Sequence, residues 1–375
     1  MLKSINIVSF HPPYPPNYGG VIDVFYKLKY LKLFGLKIYL HFFYNKDAKV
    51  EFDKISYYCD AVYSYERKKG IDNFFSFLPY IVISRGSIEL IRNLRDLEFP
   101  IIFEGIHTTY PVYYEISNES KINFFLRAHN VEHKYYSYLF KNEKNFSKKL
   151  YFFLEALKLK YYESIVNRFN SILTISEKDF NFFKKFNKNT FIVYPFHKYE
   201  DVWIKIGLGE YILVHGNFLV NTNLKSLRWL IKNVLSKVKY KVIIAGKLPN
   251  NNMCNNYENI FFINNPTEDE LEKLIENSQI NIIHSSDNAG FKIKLLYSLF
   301  RGRFCICNSL SISDKDLLKV CYVVEKPAEY ICLINELMNK KFDYNDLEER
   351  KKVLKKFSNI ENVKKLIQII NGDFN

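Results

Sequence analysis

The chain has 375 residues, 48% of them hydrophobic and 25% charged, with 54 Lys and Arg against 40 Asp and Glu for a formal net charge of +14. That length is long for one core and suits two domains, and the composition is that of a globular chain, not a disordered one. With no run of about 18 uncharged apolar residues, no transmembrane helix is expected.

The N-terminus enters a strand directly, without the apolar stretch and small-residue cleavage site of a signal peptide. The six cysteines, at 59, 254, 305, 307, 321 and 332, form no disulfide framework, which suits a reducing cytoplasm. The positive charge needs discounting. Lys, Asn, Ile, Phe and Tyr abound, and these are residues that adenine- and thymine-rich codons specify. Basic character favours anionic partners such as a membrane surface. No zinc-finger spacing or arginine-rich arm marks a nucleic-acid module, and none is expected.

In chain order, Ser4–Phe10 predicts a strand, and His11–Gly20 a rigid loop ending in Gly19-Gly20. A helix from about Val21 carries Val24, Phe25, Leu28 and Leu31 on one stripe and stops at Gly35; Lys37–Phe43 is the next strand. This is a βαβ unit opening a parallel sheet. Strands follow at 61–65, 100–103, 124–127, 171–175 and 190–194. Residues 80–97 and the basic, aromatic stretch 134–169 read as helical. Residues 195–209 lack periodicity and are placed as the interdomain linker. The second half has strands at 211–214, 241–245, 259–263, 281–284, 304–307 and 320–324, with a capping box at Thr267 to Glu270. A final amphipathic helix spans about 359–370. The expectation is an α/β chain of two Rossmann-like, doubly wound domains facing across a cleft, with ligands beyond the carboxyl ends of the strands.

The segment 281–300 carries the sharpest chemistry. A strand, a glycine turn at Gly290 and a helix bearing Lys292 and Lys294 aim free N–H groups and positive charge at one sheet edge, a natural seat for a phosphate. The alternative is an ordinary β-loop-α unit with solvated lysines.

Together these stretches resemble GT-B glycosyltransferases of the family-4 type, closest to a bacterial polysaccharide-assembly branch. The resemblance rests on the Gly19-Gly20 loop, Phe103-Glu-Gly-Ile-His107-Thr, Leu126-Arg-Ala-His129-Asn-Val-Glu132, Ile172-Leu-Thr-Ile-Ser176-Glu, His215-Gly-Asn-Phe and Gly290-Phe-Lys-Ile-Lys-Leu-Leu. It implies transfer of a sugar from a nucleotide-sugar to a saccharide or lipid-linked acceptor, with retention, without a metal, and with no cofactor beyond the donor. It implies an acceptor domain over 1–198, a donor domain over 199–355 and a terminal segment 356–375 returning to the first domain. His129, Glu104 and His107 are then the expected catalytic residues, and Gly19, Gly20, Gly216, Asn217, Lys247, Gly290, Lys292 and Lys294 the expected donor-binding ones. The alternatives are a helix-capping histidine at 129, loop polarity at 104 and 107, and a plain turn at 19–20.

The departures matter. The family's two C-terminal glutamates, eight positions apart, are here Ala289 and Tyr297, and Asn217 and Lys225 are poor substitutes for its diphosphate-binding Arg and Lys. Asp314-Lys-Asp316 reads as helix capping before it reads as a metal motif, and Cys305-x-Cys307 as packing. The tract Lys134–Lys160 mixes lysines with aromatics, as an anionic membrane surface or a solvated helix with an aromatic core face would require. The expected protein is a cytoplasmic glycosyltransferase, peripheral on the inner membrane face if that tract binds lipid. Its rivals are an inactive binding subunit of the same fold and a nucleotide-sugar epimerase.

Overall fold

The computed structural model describes residues 2–114, 122–249 and 257–373. The chain forms two compact units, Met1–Lys198 with Asn359–Asn375, and Tyr199–Ser358. In the first, strands β1 (Ser4–Ser9), β2 (Lys37–Tyr44), β3 (Ala61–Glu66), β4 (Ile101–Glu104), β5 (Phe124–Ala128), β6 (Ser171–Thr174) and β7 (Thr190–Ile192) pair in the order β3-β2-β1-β4-β5-β6-β7. Every pairing is parallel. Parallel strands are covered on both faces, which is why β4 and β5 read as almost unbroken apolar runs. Val8, Ile101, Phe103, Leu126 and Ile172 enter one core with Leu90 and Leu159 from the covering helices. The strand order reverses between β1 and β4, so a crevice is expected at their carboxyl ends.

The second unit repeats the plan. Strands β8 (Ile212–Asn217), β9 (Val242–Lys247), β10 (Ile260–Asn264), β11 (Ile280–Ile283), β12 (Phe304–Cys307) and β13 (Tyr322–Val323) pair in parallel in the order β10-β9-β8-β11-β12-β13. Its reversal lies between β8 and β11. Thr267 caps the helix Glu268–Asn277 through the reciprocal box with Glu270.

The terminal helix Asn359–Asn371 belongs to the first unit, and its asparagines hold it there. Asn362 Oδ1 accepts from Tyr194 N at 2.8 Å, Asn359 bonds His197 N and O at 3.0 and 2.8 Å, and Asn371 Oδ1 accepts from Leu2 N at 2.8 Å.

Three helix expectations need correcting. Gly19 and Gly20 are not loop residues; they open the helix Gly19–Leu33. The stretch 80–97 is broken into Tyr80–Ile83 and Ile88–Leu97, because Ser87 takes up a new N-cap and accepts from Leu90 N at 3.2 Å. The stretch 134–169 is likewise Glu132–Asn142 and Phe146–Tyr162, restarted by Asn145 as N-cap, with a 3-10 turn Glu163–Arg168 after it. In the two broken stretches a short polar side chain competes for the free N–H groups of a helix end and resets the helix. The described cysteines are all free thiols; Cys254 lies outside the described residues.

Candidate functional site

At the β1–β4 reversal the first unit buries a cluster of charges. Glu104 ends β4 and is fully buried; its Oε1 accepts from Lys27 Nζ at 2.6 Å and its Oε2 from His129 Nε2 at 3.0 Å. Asp23, one helix turn before Lys27, accepts from Lys27 at 3.1 Å and takes the Arg127 fork on both oxygens, at 2.9 and 2.8 Å. Arg127 also donates to the carbonyls of Val193 and Tyr194. Asp23 Oδ1 further accepts from Phe196 N at 2.8 Å.

Burial alone would raise both carboxyl pKa values, but the fixed cations prevail. Arg127 and Lys27 hold Asp23 far below the usual carboxylate range, and Lys27 with His129 holds Glu104 below it. Glu104 is therefore an ionised acceptor, which makes His129 Nε2 the donor. The other ring nitrogen, Nδ1, has no partner among the described residues. His129 is 8% exposed.

The ligand atoms of Asp23, Glu104 and His129 lie within 4.8 Å of one another, a spacing that a metal ion can span. The chemistry does not fit one. Lys27 and Arg127 already neutralise the two carboxylates, and the Lys27 ammonium bonds both.

His107 follows β4 in a 3-10 turn, Ile106–Thr108, with its Nδ1 buried and unbonded among the described residues. Its ring lies 5.2 Å from that of Phe10, which also touches His129 at 5.7 Å. Phe10 bears on Gly20: a Cβ there would sit 2.6 Å from Phe10 Cζ, so any larger residue would have to push that ring aside. Glu104, His107, His129 and Gly20 are thus gathered at one sheet edge.

The second unit presents a different edge. Gly216 and Asn217 end β8, Lys247 ends β9 as the register partner of Asn217, and Gly290 turns the chain before the helix Ile293–Arg301 with φ +59°. The β8–β9 edge is tight: a Cβ on Gly246 would lie 1.8 Å from the Gly216 carbonyl oxygen.

Lys294 Nζ reaches this edge, 3.8 Å from where a Gly216 side chain would begin, and makes no hydrogen bond or ion pair among the described residues. Burial, then Lys292, lowers its pKa to about 8. The two lysines, two positions apart, point in different directions and do not act as a pair. Lys292 is the N-cap, and its ammonium is taken by Asp287 Oδ1 at 2.7 Å and the Ala289 carbonyl at 2.9 Å. Asn217 is also engaged locally, accepting from Leu219 N and from Asn223 Nδ2.

The two departures take structural roles. Ala289 N donates to Asp287 Oδ1 at 3.0 Å, closing the loop on itself. Tyr297 packs against the Tyr199 ring at 5.1 Å and the cluster of Leu213, Ile243 and Ala245. Asp314 caps the turn Lys315–Lys319, and Lys356 bonds Asp314 and Asp316 at 2.6 Å each.

Sequence reasoning missed Asp23, Lys27 and Arg127. The signal was present: Lys27 lies four residues after Asp23 amid the apolar helix stripe, and Arg127 is a charge inside the strand Phe124–Ala128. Buried charges demand partners, and these three supply one another and Glu104.

No family model matches the chain. A Klebsiella pneumoniae relative, described as an uncharacterized 44.6 kDa protein in the cps region, is 27% identical over 338 residues, covering 82% of this chain and 84% of its own. Among solved structures, sucrose-phosphate synthase from Thermosynechococcus elongatus superposes with a TM-score of 0.69 at 12% identity, covering 99% of both chains. The lipopolysaccharide outer core galactosyltransferase WaaB has a TM-score of 0.66 at 12% identity, covering 99% of this chain and 100% of its own. Anabaena HepE, solved with UDP and glucose, has a TM-score of 0.64 at 9% identity over 99% and 100%. Two parallel Rossmann-like sheets of seven and six strands, matched over the whole chain by these proteins, give the chain the GT-B glycosyltransferase fold.

Proposed function

We propose that the chain transfers a sugar from a nucleoside diphosphate sugar to a saccharide or lipid-linked acceptor in surface polysaccharide synthesis, acting as a family-4-type enzyme. The observation that carries this reading is the fold shared over 99% of the chain with proteins named as a galactosyltransferase and a sucrose-phosphate synthase, and with one solved in complex with UDP and glucose. The cps-region relative supports the polysaccharide context.

The second unit takes the donor. Lys294, the backbone at Gly290 and the Gly216 edge neutralise the departing diphosphate, with Lys247 on the same sheet edge; this needs no divalent cation. The first unit takes the acceptor, and His129 bonds a sugar hydroxyl or the phosphate. Front-face substitution with retention suits a site whose two carboxylates, Asp23 and Glu104, are locked in ion pairs and unsuited to act as nucleophiles. One observation favours a second reading: a carboxylate-held imidazole with an open Nδ1 is the arrangement of a general base, the chemistry of inversion.

Incubation with candidate nucleotide-sugars and acceptors, with products followed by mass spectrometry and anomeric configuration by NMR, tests the proposal. A glycosylated product supports it, and its anomeric configuration chooses between the two routes. Free epimer in its place identifies an epimerase, and donor binding without either product identifies a binding subunit.

The enzyme acts on the cytoplasmic membrane face in this reading. No helix among the described residues is long and apolar enough to cross a membrane. The helix Phe146–Tyr162 instead exposes Phe146, Leu150, Phe153, Leu154, Leu157 and Tyr161 at helical spacing. Residues 134–162 contain seven lysines and two glutamates, a balance that suits anionic headgroups.

A further inference from the structure

Arg85 lies in the break between the helices Tyr80–Ile83 and Ile88–Leu97 and is 3% exposed. Its Nε donates to the Phe10 carbonyl at 3.1 Å and its Nη1 to the Ile81 carbonyl at 2.7 Å. No carboxylate among the described residues forms an ion pair with it, and Nη2 has no partner there. A buried guanidinium without a counter-ion is costly, and the two carbonyls here satisfy only part of it.

The surroundings add positive charge. Arg67 donates from Nε to Ser84 Oγ at 3.0 Å, with its guanidinium 5.5 Å from the Tyr80 ring centre. Burial first, then Arg85 and Arg67, lowers His11 to about 4, and burial with the same arginines holds His107 well below the histidine range. Both imidazoles are thus neutral, each with one N–H to donate. Phe10 joins the group to the candidate reaction centre, its ring 5.6 Å from His11, 5.2 Å from His107 and 5.7 Å from His129.

The buried carboxyl groups nearby do not compensate. Glu132 acts on Arg85 from a distance, but burial raises it to about 7, so much of it is uncharged at neutral pH. Glu155 is taken by Tyr80 N and Lys158.

We propose that Arg85, Arg67, His11 and His107 form a binding site for an oxyanion carried by the acceptor, a uronate carboxylate or a phosphate ester, beside His129. The free guanidinium edge of Arg85 and the guanidinium of Arg67 are the donors that such a group satisfies, whereas a neutral sugar leaves the charge uncompensated. The inference rests on reading the first unit as the acceptor side.

The test uses the full chain in chloride buffer at constant ionic strength, with glucuronate, glucose 6-phosphate and inorganic phosphate as anionic probes and glucose as the neutral one. Calorimetry and the thermal midpoint are read together, because a ligand bound only by the folded state raises the midpoint. At least one anion should bind and stabilise while glucose does neither, and the preference among them separates carboxylate from phosphate. Arg67→Gln should weaken the anion about tenfold, the worth of one charge-assisted hydrogen bond, and Arg85→Gln should abolish binding. Arg85 also holds two carbonyls, so Arg67→Gln carries the test if Arg85→Gln fails to fold. Phosphate seated at Lys294 would ignore Arg67→Gln. Anion affinity equal in wild type and Arg67→Gln, or glucose binding as well as glucuronate, overturns the site. UDP titrated in parallel separates the two proposals: anion binding without nucleotide binding defeats the glycosyltransferase reading alone, and nucleotide without anion binding defeats this inference alone.

Discussion

Glu104 is shared between His129 and Lys27, accepting from the imidazole Nε2 at 3.0 Å on one oxygen and from the ammonium at 2.6 Å on the other. One carboxylate thereby sets the tautomer of the candidate catalytic histidine and completes the ion-pair cluster beneath it. The pairing separates two roles by substitution. Glu104→Gln keeps the size of the side chain but loses the charge, so turnover should fall at least tenfold with little change in donor affinity, and its pH profile should shift. His129→Ala should lower turnover further while leaving the Lys27 pair intact. Kinetics and donor binding measured on both variants check this; wild-type turnover in the folded fraction of His129→Ala would remove it from the mechanism.

The buried cluster also makes an acid-stability prediction. Asp23 and Glu104 have folded-state pKa values below their unfolded ones of about 3.9 and 4.3. The unfolded chain binds more protons in that window, so their contribution is present above about pH 4 and is lost as pH falls through the folded values. Asp23→Asn, which strands Arg127 without its charged partner, should cost about 3–5 kcal/mol at pH 7 and less at low pH. Chemical denaturation across pH measures both.

Glu132 carries the opposite sign. Burial above all raises its pKa from 4.5 to about 7, so the folded state retains a proton that the unfolded state releases. Stability from this group should fall as pH rises from about 4.5 to 7. Glu132→Gln should remove that decline and raise stability at pH 8 by on the order of 2–3 kcal/mol. Equal slopes for wild type and variant between those pH values would contradict it.

At the other sheet edge the two lysines should behave differently. Lys294→Met should weaken UDP binding about tenfold, because its ammonium has no competing partner among the described residues. Lys292→Met should change UDP affinity little, since Asp287 and the Ala289 carbonyl hold that ammonium. Calorimetric titration of both variants decides between this and a donor site using both cations.

Gly246→Ala places a Cβ 1.8 Å from the Gly216 carbonyl oxygen, a backbone atom that cannot swing aside. The variant should lose several kcal/mol of stability, of the size of other strained backbone substitutions, and lose UDP binding with it. A thermal midpoint within a degree or two of wild type would show that the β8–β9 edge can relax.

The sequence by itself determined the α/β alternation, the parallel sheets and their strand positions, because apolar runs of strand length recur between helical periods and each glycine or proline break is local. It also put Glu104, His129 and Gly216 at strand carboxyl ends, since each follows a readable strand. Helix boundaries at 84–87 and 143–145 escaped it, because a serine or asparagine cap outcompetes periodicity only when the backbone geometry is known. The partners were decided by tertiary structure alone. Asp23 and Arg127 lie 104 positions apart, and Lys27 and Glu104 lie 77 apart. Nothing local to either partner says which charge it meets, because strand order, and not chain order, brings β1's helix, β4 and β5 together. The same holds for Lys292 and Lys294. Two residues apart on one chain, they are separated in role only by which one Asp287 reaches.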